Sequence, residues 1–378
     1  MKILYPLLAY YPSQVGGPAN TVYWLTKALV NEKVDVTVIT SDLGIKNNNI
    51  DRNSFIYTNH GRIYYGKGSR ISFKTIYKCL SEVKNHDLIH TNGLFDTLSL
   101  ITVIFTIIFY PSKKILCSVR GGLRPSALKY SYYKKYLPLF IYKLKKKNIY
   151  FHATCLEEIK DIKNQLGDKR ICFNLPNFIE PATKIKNVKK KKIIIFLGRI
   201  HPIKAIENLI EAVSQSKAFY KKGFTLSIVG DFEKRYEKYF TKLNILAKNL
   251  KISDSINFHG HIEGDKKEKL LAKSYALILP SHSENFGNVV LEALNQGTPV
   301  IASKGTPWSI LQESSCGFHV DNNSSDLSQA IDRLINMNKF EYENYIKNAT
   351  NLLDKNYDVN SKIYEWINIY KEILNKSS

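Results

Sequence analysis

The stretch HSENFGNVVLEALNQGTPVIAS, His282 to Ser303, places Glu284 and Glu292 eight residues apart, on either side of an expected helix start. In a chain with a formal net charge of +22, two carboxylates here are either solvated surface or acceptors for a ligand rich in hydroxyls. Glu284 precedes the helix, where a negative charge also suits the helix dipole. Glu292 lies among Leu291, Ala293 and Leu294, so its sequence neighbours do not explain it. A carboxylate accepts hydrogen bonds, and a diol presents two donors. Asn285 and the backbone amides of Phe286, Gly287 and Asn288 stand at the same helix start. Such amides stabilise an anion by about 0.3–1 kcal/mol.

Two further loops carry residues suited to an anionic ligand. In FLGRIHPIKA, Gly198 and Arg199 directly follow an apolar strand and Lys204 comes five residues after Arg199. Arginine grips a diphosphate with a fork of donors, and lysine adds a point charge. In SQVGGPANT, Gly16 and Gly17 let the backbone approach a ligand, and the helix after Pro18 offers free amides. Taken alone these are two solvated cations and a tight turn. Their place at strand ends is what marks the two cations, because open α/β sheets bind ligands there.

The elements that position these loops follow from hydrophobic periodicity. KILYPLLAY and VDVTVIT form strands, and PANTVYWLTKALVNEK between them puts Val22, Leu25 and Leu29 on one helical face. DLIHTNG and KILCSVRGG follow as short strands. After the lysine-rich linker 177–192 the rhythm restarts, with strands at KIIIFLG, FTLSIVG, SINFHG, YALILP and TPVIAS separated by helices. Strands alternating with helices imply a parallel sheet covered on both faces. The expected fold class is α/β, two doubly wound Rossmann-like domains facing each other across a cleft. The expected domains are 1–178 and 191–356, with the aromatic helical stretch 357–378 free to pack back on the first.

Bulk properties bound the function. A length of 378 residues suits two domains, and 44 % apolar residues suffice for normal cores. MKILYPLLAYYPSQ runs into a strand-like pattern without a cleavage site, which predicts a cytoplasmic protein. The apolar run 98–110 is shorter than the ~20 residues of a spanning helix, so a buried helix or strand pair is expected. Five scattered cysteines without a CxxC pair fit a reducing compartment and argue against a zinc site. The basic excess points to anionic partners. No finger, basic zipper or paired-aromatic sheet motif supports nucleic acid among them.

Together, Gly198–Arg199–x4–Lys204, Glu284–x7–Glu292, the early Gly16–Gly17 pair and GTPVIAS after the second motif resemble the retaining GT-B glycosyltransferases of family 4, the group 1 glycosyltransferases. The resemblance covers nearly the whole chain and implies a hexosyltransferase of bacterial surface polysaccharide biosynthesis: O-antigen, capsule or lipopolysaccharide. It implies that Glu284 holds sugar hydroxyls of a nucleotide diphosphate-sugar donor and Glu292 the ribose diol. Arg199 and Lys204 would neutralise the diphosphate, and the Gly16–Gly17 backbone would approach the phosphates. The donor site then comprises Gly16, Gly17, Arg199, Lys204, Glu284, Asn285, Phe286, Gly287, Asn288 and Glu292, with Arg199, Lys204 and Glu284 catalytic. No D-x-D triad occurs, so neither a metal nor any other cofactor is expected. Many relatives place a histidine on the loop that here reads CSVRGGLRPSAL, where this chain has Arg120. Arg120 and His90, at another strand end, are the acceptor-side candidates. An epimerase of the same fold, or a non-catalytic basic protein bound to membrane, are the competing readings.

The segment 129–147, KYSYYKKYLPLFIYKLKKK, spaces Tyr130, Tyr133, Leu137, Phe140 and Leu144 three and four apart, with lysines on both borders. A helix of that pattern suits the headgroup boundary of an anionic membrane, and predicts a lipid-diphosphate-linked glycan as acceptor. Packed on the first domain's sheet instead, the same stripe would be core.

Overall fold

The computed structural model describes residues 1–13, 17–45, 49–68, 71–129, 132–145, 147–182, 184–185 and 188–376, with the backbone alone at 129 and 132–134. The chain divides into two compact units. The first comprises Met1–Glu180 together with Val359–Ser378, and the second Pro181–Asp358.

The first unit is built on eight strands: β1 (Lys2–Pro6), β2 (Asp35–Ser41), β3 (Phe55–Thr58), β4 (Gly61–Gly66), β5 (Leu88–Asn92), β6 (Lys114–Ser118), β7 (Ile149–Ala153) and β8 (Cys172–Asn174). They lie in the order β3-β4-β2-β1-β5-β6-β7-β8. All pairs are parallel except the β3–β4 hairpin. Every residue of β5, β6 and β7 is buried, as expected where helices cover both faces. The direction of strand addition reverses between β1 and β5, the switch point of a doubly wound sheet.

The apolar run 98–110 resolves into the helix Thr97–Phe109, capped by Asp96, whose carboxylate accepts the Ser99 amide at 2.9 Å. Leu98, Thr102, Val103 and Thr106 form its buried face. Among the described residues no helix is long and apolar enough to cross a membrane. The last helix, Val359–Asn375, joins the first unit and buries Ile363, Trp366, Tyr370 and Ile373 in the core that also holds Ile3, Tyr5, Val22 and Leu25. The Tyr5 and Tyr370 hydroxyls share a 2.7 Å hydrogen bond.

The second unit has six parallel strands: β9 (Ile193–Leu197), β10 (Thr225–Val229), β11 (Ile256–Phe258), β12 (Ala276–Leu279), β13 (Val300–Ser303) and β14 (Gly317–Val320). Their order is β11-β10-β9-β12-β13-β14, so strand addition reverses between β9 and β12. Ile194, Phe196, Leu226, Ile228 and Ile278 form its core with Ile206, Leu209, Ile210 and Val213 of the helix Ile206–Gln215. The α/β class and the two Rossmann-like sheets agree with the expectation. The β3–β4 hairpin, β7, β8 and β14 were not anticipated. These strands are three to six residues long, too short for periodicity to separate them from loop.

Candidate functional site

In the second unit, the loops that leave β9 and β12 flank the switch point, because β9 and β12 are hydrogen-bonded neighbours with Ala276 opposite Ile194 and Leu277 opposite Ile195. The first loop carries Gly198, Arg199 and Lys204. The second runs from Pro280 to Gly287. The amide of His282 donates to Ile203 O at 2.8 Å, which ties the loops together. Lys204 then meets Glu284: its ammonium is ion-paired with the Glu284 carboxylate. The Ser281 hydroxyl approaches the same carboxylate at 3.3 Å. The side chains of Lys204 and Glu284 are 15 % and 18 % exposed, so the pair is reachable yet largely shielded from water. Arg199, 68 % exposed, makes a long 3.4 Å contact with Glu233 and no other ion pair among the described residues. Exposed pairs of this kind contribute little, so the guanidinium can re-aim at a ligand at small cost.

Lys204 is positioned by a one-turn helix, Pro202–Lys204, capped by His201. His201 Nδ1 accepts the Ile203 amide at 3.0 Å, so its Nε2 carries the proton that bonds the Tyr236 hydroxyl at 2.8 Å. Burial, then the charges of Arg199, Arg235 and Lys204, pull the His201 pKa down. Nothing in the sequence spacing singled out His201. Its signal is its place directly before Pro202, at the cap of the turn.

The second loop is shaped by close approach. Gly305 passes so near that a Cβ there would stand 2.4 Å from the carbonyl oxygens of Ser281 and His282, and its own carbonyl accepts the Glu284 amide at 2.9 Å. Gly287 caps the helix Asn288–Asn295 in the left-handed region, φ +83°, where a side chain is strained and would meet Leu279. The helix therefore begins at Asn288. Asn288 and Val289 form its first turn, and the Val290 amide donates to Gly287 O. Phe286 also has a packing role. Its ring is buried against Trp308, with centroids 4.9 Å apart, and its carbonyl accepts the Trp308 indole N–H, so it braces the loop. Asn285 stands half-buried in the loop.

Glu292 lies on the second turn of that helix, and the structure does not bond it to the Lys204–Glu284 pair. Its carboxylate is 3.1 Å from Lys267, which also lies 3.9 Å from Glu268. Burial, countered by Lys267 and reinforced by Glu292, raises the Glu268 pKa. The sequence neighbours of Glu292 do not explain it, but Lys267 gives it a partner from the helix Gly264–Lys273.

In the first unit, Gly17 opens the helix Gly17–Asn31, and Gly16 lies outside the described residues. His90 is withdrawn as an acceptor-side candidate. It is fully buried, with Nδ1 2.9 Å from the Tyr370 hydroxyl and Nε2 2.8 Å from Ser118 Oγ. Burial, then the neighbouring His152 and Arg120, push its pKa well below the usual value, so it is a neutral core residue with both nitrogens occupied. Arg120 follows β6 and reaches Asn92 and Asn177. In the helix Tyr132–Leu144, Leu137, Phe140 and Leu144 are 65 %, 48 % and 66 % exposed, while Leu139 and Tyr142 are buried. The stripe therefore does not pack on the sheet. Tyr130 and Lys146, and the side chains of Lys129, Tyr133 and Lys134, lie outside what is described. Lys135 turns inward, donating to Ala127 O at 2.5 Å. Among the described residues no cluster of three or more His, Cys, Asp or Glu side chains is placed to hold a metal ion.

Residues 179–352 match the family model of the glycosyl transferases group 1. An uncharacterized glycosyltransferase of Methanocaldococcus jannaschii is 32 % identical over 187 residues, 49 % of this chain and 44 % of that protein. The lipopolysaccharide core biosynthesis glycosyltransferase LpsE of Rhizobium meliloti is 29 % identical over 181 residues, 47 % of this chain and 48 % of that one. The chain thus matches about half the length of these two relatives. Anabaena HepE, solved in complex with UDP, superposes with a TM-score of 0.74 at 16 % identity, over 98 % of this chain and 100 % of that one. That likeness shows the fold, which is GT-B. The family match takes in nearly all of the second unit, so the similarity to the group 1 glycosyl transferases lies in this unit.

Proposed function

We propose that this protein transfers a sugar, with retention of configuration, from a nucleotide diphosphate-sugar to a lipid-linked glycan in the assembly of a bacterial surface polysaccharide. The Lys204–Glu284 pair carries the reading: a cation and a hydrogen-bond acceptor held together where the loops of β9 and β12 flank the switch point of the unit similar to the group 1 glycosyl transferases. The bond that breaks joins the anomeric carbon to the diphosphate, and negative charge develops on the departing nucleoside diphosphate. Lys204 and Arg199 meet that charge, the largest usual source of rate enhancement in such chemistry. Glu284 accepts hydrogen bonds from the donor sugar, and the N-terminal end of the helix Asn288–Asn295 faces the anion with its positive dipole end. Glu292 accepts from the ribose diol. The new bond forms to an acceptor hydroxyl on the face the leaving group vacates, and the hydroxyl's proton passes to the departing diphosphate oxygen. These cations do the work of a metal, so none is required. The donor nucleotide is supported by HepE having been solved with UDP, and the pathway by the name of LpsE.

The lipid-linked acceptor is supported by the exposed apolar stripe Leu137, Phe140 and Leu144, with Tyr136 beside it and exposed Lys143 and Lys147 at its border. An apolar stripe with lysines beside it fits the headgroup region of an anionic leaflet. We place the protein on that leaflet, at the cytoplasmic face. The deciding experiment is a panel of UDP- and GDP-sugars scored by slow hydrolysis. One donor should be turned over, and Glu292→Ala should abolish that turnover. Hydrolysis of none, or hydrolysis indifferent to Glu292, overturns the reading.

A further inference from the structure

The first unit contains a cation with no counter-charge bonded to it. Arg120 follows β6, beside β5, whose other neighbour across the switch point is β1. Its Nε and Nη2 donate to Asn92 Oδ1 at 3.1 and 2.9 Å, and its Nη1 donates to Asn177 Oδ1 at 2.5 Å. Both acceptors are neutral. Three N–H groups are thus used, and one remains on each Nη nitrogen. The nearest opposing charge is Glu158, fully buried, whose oxygens accept from the Gly121 amide at 2.5 Å and from the Thr154 amide and hydroxyl at 2.7 and 3.0 Å. Glu158 therefore braces the backbone next to Arg120 and, among the described residues, makes no ion pair with the guanidinium.

Two further observations converge on the same place. Arg120 sits in the left-handed region, φ +55°, which a long side chain adopts only under constraint and which clusters at ligand sites. Asn92, more than nine-tenths buried, has no hydrogen-bond partner for Nδ2 among the described residues, although its Oδ1 is doubly engaged by Arg120. A buried amide donor without an acceptor costs stability, as does a buried cation without an anion. Burial accordingly pulls the Arg120 pKa down to about 10, against the opposing pull of Glu158, Tyr370 and Tyr5. One ligand removes both costs: an oxyanion with several acceptor oxygens.

We infer that Arg120, with Asn92, forms an oxyanion receptor in the first unit for a phosphate or diphosphate group carried by a substrate. The choice of phosphate over carboxylate rests on the function proposed above. The paired Nη donors bind two oxygens of the anion side by side. Asn177 and Asn92 Oδ1 hold the guanidinium plane while leaving its charge intact for the ligand.

The test uses binding and stability, so its outcome does not depend on turnover. In an Arg199→Ala/Lys204→Ala background, inorganic pyrophosphate should still raise the melting temperature of the full-length protein. Adding Arg120→Gln should weaken pyrophosphate roughly tenfold or more, and Arg120→Lys should restore part of it. The ligand-free melting temperature of Arg120→Gln should be unchanged or higher, because an uncompensated charge has been removed. A merely structural tie between Asn92 and Asn177 would give the opposite, a lower ligand-free melting temperature. Repeating the titration with UDP and with farnesyl diphosphate separates the sources. Dependence on Arg120 confined to UDP assigns the donor diphosphate, and dependence confined to farnesyl diphosphate assigns the acceptor. A pyrophosphate response that Arg120→Gln leaves intact, or a destabilised ligand-free variant, overturns the inference.

Discussion

Lys204 and Glu284, eighty residues apart, are ion-paired across two loops that leave neighbouring strands. Each is the other's counter-charge in the ligand-free protein. A donor that places its diphosphate on Lys204 and its sugar on Glu284 exchanges one set of polar contacts for another, so binding need not strand either charge. Lys204→Ala and Glu284→Gln should therefore each lower kcat by about 10²–10³ with the fold retained. Steady-state kinetics beside circular dichroism decide it, and wild-type turnover in either variant refutes the assignment.

Arg199 offers a cleaner separation of activity from stability. Among the described residues it makes one ion pair, long and exposed, worth at most about 1 kcal/mol. Arg199→Ala should leave the melting temperature unchanged while slowing turnover roughly a hundredfold. A variant that melts early and turns over normally would show the residue to be structural.

Activity should survive a chelator. The chain has no D-x-D triad, and Lys204 and Arg199 supply the positive charge a metal would otherwise bring. Loss of turnover in EDTA, restored by Mn²⁺ or Mg²⁺, would contradict this.

The buried histidines set an acid limit. Burial pulls His60 down to about 4, with Lys27 adding to it, and His152 to about 3, where Arg120 assists. In the unfolded chain both titrate near 6.5. Between those values the unfolded state binds more protons, so stability is present above about pH 6.5 and falls as pH drops towards 4. Each histidine contributes up to about 1.4 kcal/mol per pH unit in that window. Denaturant titrations at pH 7, 5.5 and 4.5 should show the loss, and His60→Phe should make the slope shallower. An unchanged slope would mean that His60 is not buried neutral.

Membrane docking should depend on the exposed stripe. The protein should sediment with anionic liposomes at low salt, and a Leu137→Asp/Phe140→Asp/Lys143→Glu/Lys147→Glu variant should remain in the supernatant. Lys135 is left alone because its ammonium packs inward on Ala127 O and over the Phe95 ring. Equal sedimentation of both proteins, or of neither, excludes this surface.

The residues of the second unit were legible where chemistry coincides with a strand end. Gly198, Arg199 and Lys204 announce themselves because cations rarely follow an apolar strand without purpose, and Glu284 because it precedes an apolar helix. Lys267, Trp308 and Gly305 were not legible. Each acts on a residue 21 to 25 positions away, through contacts set by the order of strands rather than by any local period. His90 misled for the same reason. A histidine at a strand end has the same spacing whether it faces ligand or core, and only Tyr370, 280 residues later, decides between them. The stripe on the helix Tyr132–Leu144 read as amphipathic in either setting, and its exposure depended on which of two faces met the sheet.

The last helix gives the chain an order of assembly. Because Trp366, Tyr370 and Ile373 fill the core around Tyr5, a nascent polypeptide cannot complete the core of its first unit until the helix Val359–Asn375 has left the ribosome. The second unit is one unbroken segment and needs no such wait. On the ribosome, the later-encoded half is thus the first able to reach its final form, and the earlier half stands open meanwhile. Stalled chains released at residue 358 should contain a protease-resistant second unit and a first unit cut readily, while chains released at 376 resist throughout.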